Sequence, residues 1–173
     1  MAMTAAEYQK IYRWFSARPA ALRALALATQ WLPRAAMVLY PLLLVLLAGQ
    51  AFAAPNRANL ALLARAVCVP GAVFVGGTLL RHRLNLPRPY EQPGFEPLLR
   101  KDTVGHSFPS RHAMSAAVIA MAWLRVCPPM GAAMVLLTLA ICATRVLAGM
   151  HFVRDVAAGA ALGFALGALG MFL

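Results

Sequence analysis

Long apolar stretches separated by short polar turns dominate the chain. Residues 35–54 carry no charge, and 58–80 are interrupted only by Arg65 and by the pair Pro70-Gly71. Apolar runs follow from about Ser110 to Val126, Met130 to Ala148 and Val153 to Leu173, with Pro55-Asn56-Arg57 and Cys127-Pro128-Pro129 as tight turns. Each run reads as a helix that crosses the membrane. Ahead of them, Tyr8, Ile11, Tyr12 and Phe15 recur at i, i+3, i+4 and i+7 over residues 5–16, with Gln9, Lys10 and Arg13 between them. That pattern predicts an amphipathic helix lying in the interface. A second helix is expected from Pro19 to about Leu32. It is short and holds Arg23, so it is expected to lie in the interface or tilt; a sixth span is the alternative. The predicted fold is all-α, a polytopic helical membrane bundle of five core spans, with six as the alternative, and an N-terminal amphipathic interfacial helix. One domain is expected over 1–173, with interfacial helices in 1–33, a transmembrane core in 34–173 and an active-site loop in 81–109.

Composition agrees with the pattern. The chain is 62% hydrophobic with a mean hydropathy of +0.70, more apolar surface than a soluble domain of 173 residues could bury. The net charge of +11 comes from 16 basic residues against five acids. These cations are scattered between spans, which suits lipid head groups or a phosphorylated substrate rather than nucleic acid. Cys68, Cys127 and Cys142 form no CxxC and read as small core residues, with neither disulfide nor metal site. Residues 1–19 lack the apolar core of a cleavable signal. Gly159, Gly163 and Gly167 in the last span repeat a small-xxx-small pattern, read as close packing within the monomer rather than dimerisation.

Counting crossings places the chemistry. Arg81 ends the second span, Ser110 begins the third, Arg145 ends the fourth, and His151 to Asp155 begin the fifth. With one crossing each, all four points emerge on the same side of the bilayer. His151 and Asp155, four residues apart, would share a helix face, where the carboxylate fixes the imidazole tautomer. Ser110, after Pro109, is a natural N-cap, and the free amides of that first turn make an anion site. His112 in the same turn can exchange a proton with a bound anion. Arg81, Arg88 and Arg145 can surround phosphoryl oxygens. Arg83, Arg100, Lys101 and Arg154 read as head-group or steering charges, Arg65 as a snorkelling or paired cation, and His82 and His106 as non-catalytic. Too few carboxylates converge for a Mg²⁺ site, so no cofactor is expected.

Arg81-x6-Arg88-Pro89, Pro109-Ser110-Arg111-His112 and Thr144-Arg145-x5-His151-x3-Asp155 closely resemble the pattern of the type 2 phosphatidic acid phosphatase (PAP2) superfamily. That pattern is Lys-x6-Arg-Pro, Pro-Ser-Gly-His and Ser-Arg-x5-His-x3-Asp. The resemblance runs from Arg81 to about Gly163 with every internal spacing kept. Arg81 replaces Lys, Arg111 replaces Gly and Thr144 replaces Ser; none of these removes a proton-transfer group, but Arg111 bears on substrate preference.

The resemblance implies a nucleophilic His151 that forms a phosphohistidine, oriented by Asp155. It implies that His112 protonates the leaving oxygen and then activates water. Arg81, Arg88, Ser110 and Arg145 would hold the phosphate, with the amides of Arg111 and His112. The expected substrate is a lipid phosphate or pyrophosphate. Undecaprenyl pyrophosphate is favoured, partly because Arg111 adds charge, and phosphatidylglycerophosphate or phosphatidate is the alternative. The same motifs occur in vanadate-dependent haloperoxidases, but those are soluble. A non-enzymatic transporter or lipid-binding protein is the remote alternative. The positive-inside rule would put the Arg-rich face in the cytoplasm. The resemblance implies instead a bacterial cytoplasmic membrane protein with its site on the periplasmic or extracellular face, N-terminus outside and C-terminus inside. Oligomeric state is left open.

Overall fold

The computed structural model describes residues 5–173, as six α-helices and one short 3₁₀ turn at Pro89–Glu91. Helix α1 spans Ala5–Ser16, α2 Pro19–Ala53, α3 Arg57–Leu84, α4 Arg111–Val126, α5 Pro128–Leu147 and α6 Val153–Phe172. By length and composition α2, α3, α5 and α6 can each cross a bilayer. At 16 residues α4 measures about 24 Å, less than the roughly 30 Å hydrocarbon core. It does not meet lipid alone: Ala113, Met114, Ala116 to Ala120, Ala122 and Trp123 are all buried, making α4 the centre of the bundle.

The expected break near residue 33 is absent. Residues 19–32 and 35–54 form one helix, α2, which runs through Pro33 and Pro41. No glycine or capping residue flanks Pro33, and where lipid replaces water the chain gains nothing by leaving the helix. At 35 residues α2 is about 52 Å long, too long for the hydrocarbon alone.

Contacts at the two ends fix the order of crossings. Arg145, ending α5, donates from Nη2 to the Thr29 carbonyl on α2 at 3.3 Å. At the other end, Arg65 near the start of α3 donates to the Leu173 carbonyl at 3.4 Å, satisfying the cation read as snorkelling or paired. The end of α3, the start of α4, the end of α5 and the start of α6 therefore share one rim, as crossing parity requires.

The glycines of α6 do their packing inside the chain. A Cβ on Gly159 would come within 2.5 Å of the Ser110 carbonyl oxygen, and one on Gly163 within 2.4 Å of that of Met114. Helix α6 thus lies backbone-close against α4, which small residues permit.

Helix α1 is amphipathic as expected, but Tyr8 is fully buried rather than resting in the interface. Its ring stacks on Phe95 at 4.4 Å. Its hydroxyl donates to the Leu147 carbonyl at 3.0 Å and accepts from the Leu98 amide at 3.1 Å. One side chain so ties α1 to the loop after α3 and to the end of α5.

Candidate active site

The loop from Asn85 to Ser110 folds on itself. Helix α3 continues past the expected boundary at Arg81 and stops at Asn85, which takes the left-handed conformation (φ 40°) that asparagine tolerates. Glu91 Oε1 accepts the amides of Arg88 (2.9 Å) and Gly105 (2.7 Å), pinning both ends of the loop together. Gly105 has φ +64°, and a Cβ there would meet Asn85 Oδ1 at 2.3 Å, so only glycine fits. Its carbonyl accepts from Arg88 Nε at 2.9 Å. The Arg88 guanidinium also reaches the Met150 carbonyl at 3.5 Å, and Arg81 Nη1 donates to the Pro109 carbonyl at 3.1 Å. Arg81, Arg88 and Arg145 are all buried, and backbone carbonyls orient each of them.

Ser110 joins the second and third motifs. Its amide donates to the Asp155 carbonyl at 2.9 Å, locking the start of α4 against the first turn of α6. Ser110 occupies the N-cap position, yet its hydroxyl caps nothing. That Oγ is buried without a hydrogen-bond partner, as is Arg145 Nε. Two buried donors without acceptors are costly unless something else accepts them, and an anion would.

His151 lies in the turn between α5 and α6, not on α6 itself. Its amide bonds to the Arg145 carbonyl at 3.3 Å, so the arginine also shapes the turn that carries the histidine. Asp155 is fully buried and its Oδ2 accepts the Phe152 amide at 3.0 Å, capping α6. The His151 Nδ1 to Asp155 Oδ2 distance is 3.6 Å, an ion-pair separation longer than a hydrogen bond. Ser107, absent from the sequence-derived site, fills the gap. Its buried hydroxyl donates to Asp155 Oδ2 at 2.5 Å and lies 3.3 Å from His151 Nδ1. Burial holds His151 below the ordinary histidine range; the Asp155 carboxylate opposes this and Arg88 adds to it.

His112, in the first turn of α4, lies within electrostatic reach of His151, Arg145, Lys101 and Arg111. His82 and His106, for which the sequence shows no partner, lie against each other with rings tilted by 60° and centroids 4.6 Å apart, and His106 Nδ1 lies 3.2 Å from the Arg81 carbonyl. Among the described residues no group of three or more His, Cys, Asp or Glu side chains converges as a metal site.

A cavity of about 470 Å³ adjoins His112. Pro33, Met37 and Tyr40 of α2 and Pro70, Gly71 and Phe74 of α3 form its apolar walls, and Arg111 and His112 stand at its head. A polar head beside an apolar slot between helices suits an amphiphile with an anionic end.

Fold and site together define a multi-pass membrane protein with three buried arginines and a buried His–Ser–Asp cluster at one rim. The PAP2 superfamily model matches residues 59–172, and the chain belongs to that superfamily. It is a phosphatase of the membrane type. The structure is similar to that of the first transmembrane PAP2-type phosphatidylglycerolphosphate phosphatase from Bacillus subtilis. That similarity has 27% identity and a TM-score of 0.63, over 88% of this chain and 76% of that one. It also shares its fold with Aquifex aeolicus LpxE, at 22% identity and a TM-score of 0.59 over 84% of each chain. No curated protein sequence matches the chain.

Proposed function

We propose that the protein hydrolyses undecaprenyl pyrophosphate to the monophosphate at the periplasmic face of a bacterial cytoplasmic membrane, through a phosphohistidine. The observation that carries the lipid reading is the apolar slot headed by Arg111 and His112. It offers a tail and a charged head adjacent environments, and the surplus of cations favours a diphosphate. A second reading, phosphatidylglycerophosphate or phosphatidate hydrolysis, draws support from the Bacillus subtilis phosphatase named above.

In the proposed mechanism His151 is neutral, with Nδ1 turned to Ser107 and Asp155 and Nε2 left to attack phosphorus. The Nε2–P bond forms as the bond from phosphorus to the leaving oxygen breaks, and His112 gives that oxygen its proton. Charge on the three equatorial oxygens is met by Arg81, Arg88, Arg145, the Ser110 hydroxyl and the amides opening α4. Then His112, now a base, takes a proton from water as the water oxygen attacks phosphorus. The P–N bond breaks, and His151 regains its starting form.

Phosphate release by purified protein from undecaprenyl pyrophosphate, phosphatidylglycerophosphate and phosphatidate tests the reading. The expected order puts the pyrophosphate first, and His151→Ala lowers every rate by on the order of a thousandfold or more. Orthovanadate, which imitates five-coordinate phosphorus, inhibits the wild type. Equal rates on the three lipids would remove the substrate preference, and full turnover by His151→Ala would remove the mechanism.

A further inference from the structure

Two cations at the rim have nothing to hold. Lys101 and Arg111 make no hydrogen bond or ion pair among the described residues; Arg111 only overlies the Phe74 ring at 5.9 Å. Both side chains are exposed, whereas Arg81, Arg88 and Arg145 are buried and held by carbonyls. Yet Lys101 lies within electrostatic reach of Arg145, Arg88, Arg111 and Arg81 together.

Its place there is built into the fold. Lys101 sits two residues past Leu99, whose amide bonds to the Ala148 carbonyl at 3.4 Å, and three past Leu98, held by Tyr8. The loop segment is thus docked on the turn that carries His151. Partial desolvation by the loop, then the positive field of Arg145, Arg88, Arg111 and Arg81, holds the Lys101 ammonium below the ordinary lysine value although the side chain as a whole is exposed. Like charges gathered at one rim repel one another, and an anion bound among them relieves that repulsion. Of the acids at the rim, Asp155 is committed to Ser107, Phe152 and His151, and Glu91 to the Arg88 and Gly105 amides, while Asp102, next to Lys101 in the chain, is exposed and forms no ion pair with it.

In the mechanism proposed above, the three buried arginines and Ser110 suffice for the reacting phosphoryl group. We infer that Lys101 and Arg111 form a second anion subsite, which holds the non-reacting phosphate of a diphosphate while its neighbour faces His151. This deepens the pyrophosphate reading above and rests on it for the physiological substrate. The subsite itself does not need that reading, because it can be probed with anions that have no tail.

Calorimetric titration of the detergent-solubilised protein with inorganic pyrophosphate and with orthophosphate tests it. In the wild type, pyrophosphate binds about tenfold or more tightly than orthophosphate. Lys101→Gln should cut that ratio severalfold while orthophosphate affinity stays within about twofold, and Lys101→Arg should restore the ratio. Arg111→Gly, at the second cation, should also lower it. A ratio unchanged in both variants overturns the subsite, and so does an equal loss for both anions, which marks a general field effect. Turnover of farnesyl diphosphate against farnesyl monophosphate addresses the substrate separately. A wild type that prefers the monophosphate while the binding ratio holds overturns the pyrophosphate function.

Discussion

The Ser107 hydroxyl stands between Asp155 and His151, 2.5 Å from the carboxylate oxygen and 3.3 Å from the imidazole nitrogen. Carboxylate and imidazole, 3.6 Å apart, therefore communicate largely through a third group. Burial keeps His151 below its ordinary value, so it is neutral near pH 7, and the acid limb of kcat/KM should lie below about pH 6.5. Ser107→Ala deprives Asp155 of one donor. The carboxylate then attracts a protonated His151 more strongly, the His151 pKa rises, and the limb moves to higher pH. We expect kcat to fall about tenfold, and Ser107→Thr to recover most of it. A reduced kcat with an unmoved limb would assign Ser107 to packing alone.

Gly159 tests how tightly the two histidine-bearing segments are joined. Any Cβ there meets the Ser110 carbonyl oxygen at 2.5 Å and its nitrogen at 3.2 Å. Gly159→Leu must pry α4 from α6 and strain the Ser110–Asp155 bond. Overpacking of this kind costs about 1–3 kcal/mol, and activity should fall further than stability. Gly49→Leu, where a Cβ meets nothing within 4 Å, is the matched control and should unfold at the wild-type temperature.

Much of this site could be read from spacing alone, because crossing parity brings Arg81, Ser110, Arg145 and His151 to one rim whatever the detailed packing. What escaped the sequence depends on contacts between distant segments. Ser107 looks like any serine in a proline-rich loop, and only its meeting with Asp155, 48 residues on, marks it out. Tyr8 fits an amphipathic stripe, and nothing local shows that its hydroxyl reaches Leu147, 139 residues away. Lys101 lies in a polar loop whose path is set by that same tyrosine. The boundary expected near Leu32 failed for a different reason: a proline such as Pro33 stops a helix reliably where water competes for the backbone, and less so in lipid.

Tyr8→Phe keeps the stack on Phe95 and removes both hydroxyl bonds. Burial, its leading influence, pushes the phenol up to about 12 against the Leu98 amide, so in the wild type the donor persists at every working pH. Losing it should cost about 1 kcal/mol. Amide exchange should quicken at Leu98 and Leu99, and KM should rise more than kcat falls. Unchanged exchange in that loop would detach α1 from the site.

Sidedness can be checked directly. In a cysteine-free background, single cysteines replacing Trp14 and Val104, both exposed, should react with an impermeant maleimide from the same side, the site side. A cysteine replacing the exposed Asn56, between α2 and α3, should react only from the other. Labelling of Trp14 and Val104 from opposite sides would contradict the crossing order.

The backbone hydrogen bond from Ser110 to Asp155 has a wider reach than local geometry. It joins the turn of α4 that carries His112 to the segment that follows His151, and the glycines of α6 back that junction without room for a side chain. Adaptation to a new lipid therefore has to happen elsewhere, in the walls supplied by α2 and α3 and in the loop that carries Lys101. Selectivity can drift there by ordinary surface substitution while the reactive block stays constant, so variants sought for altered lipid choice belong in those outer pieces.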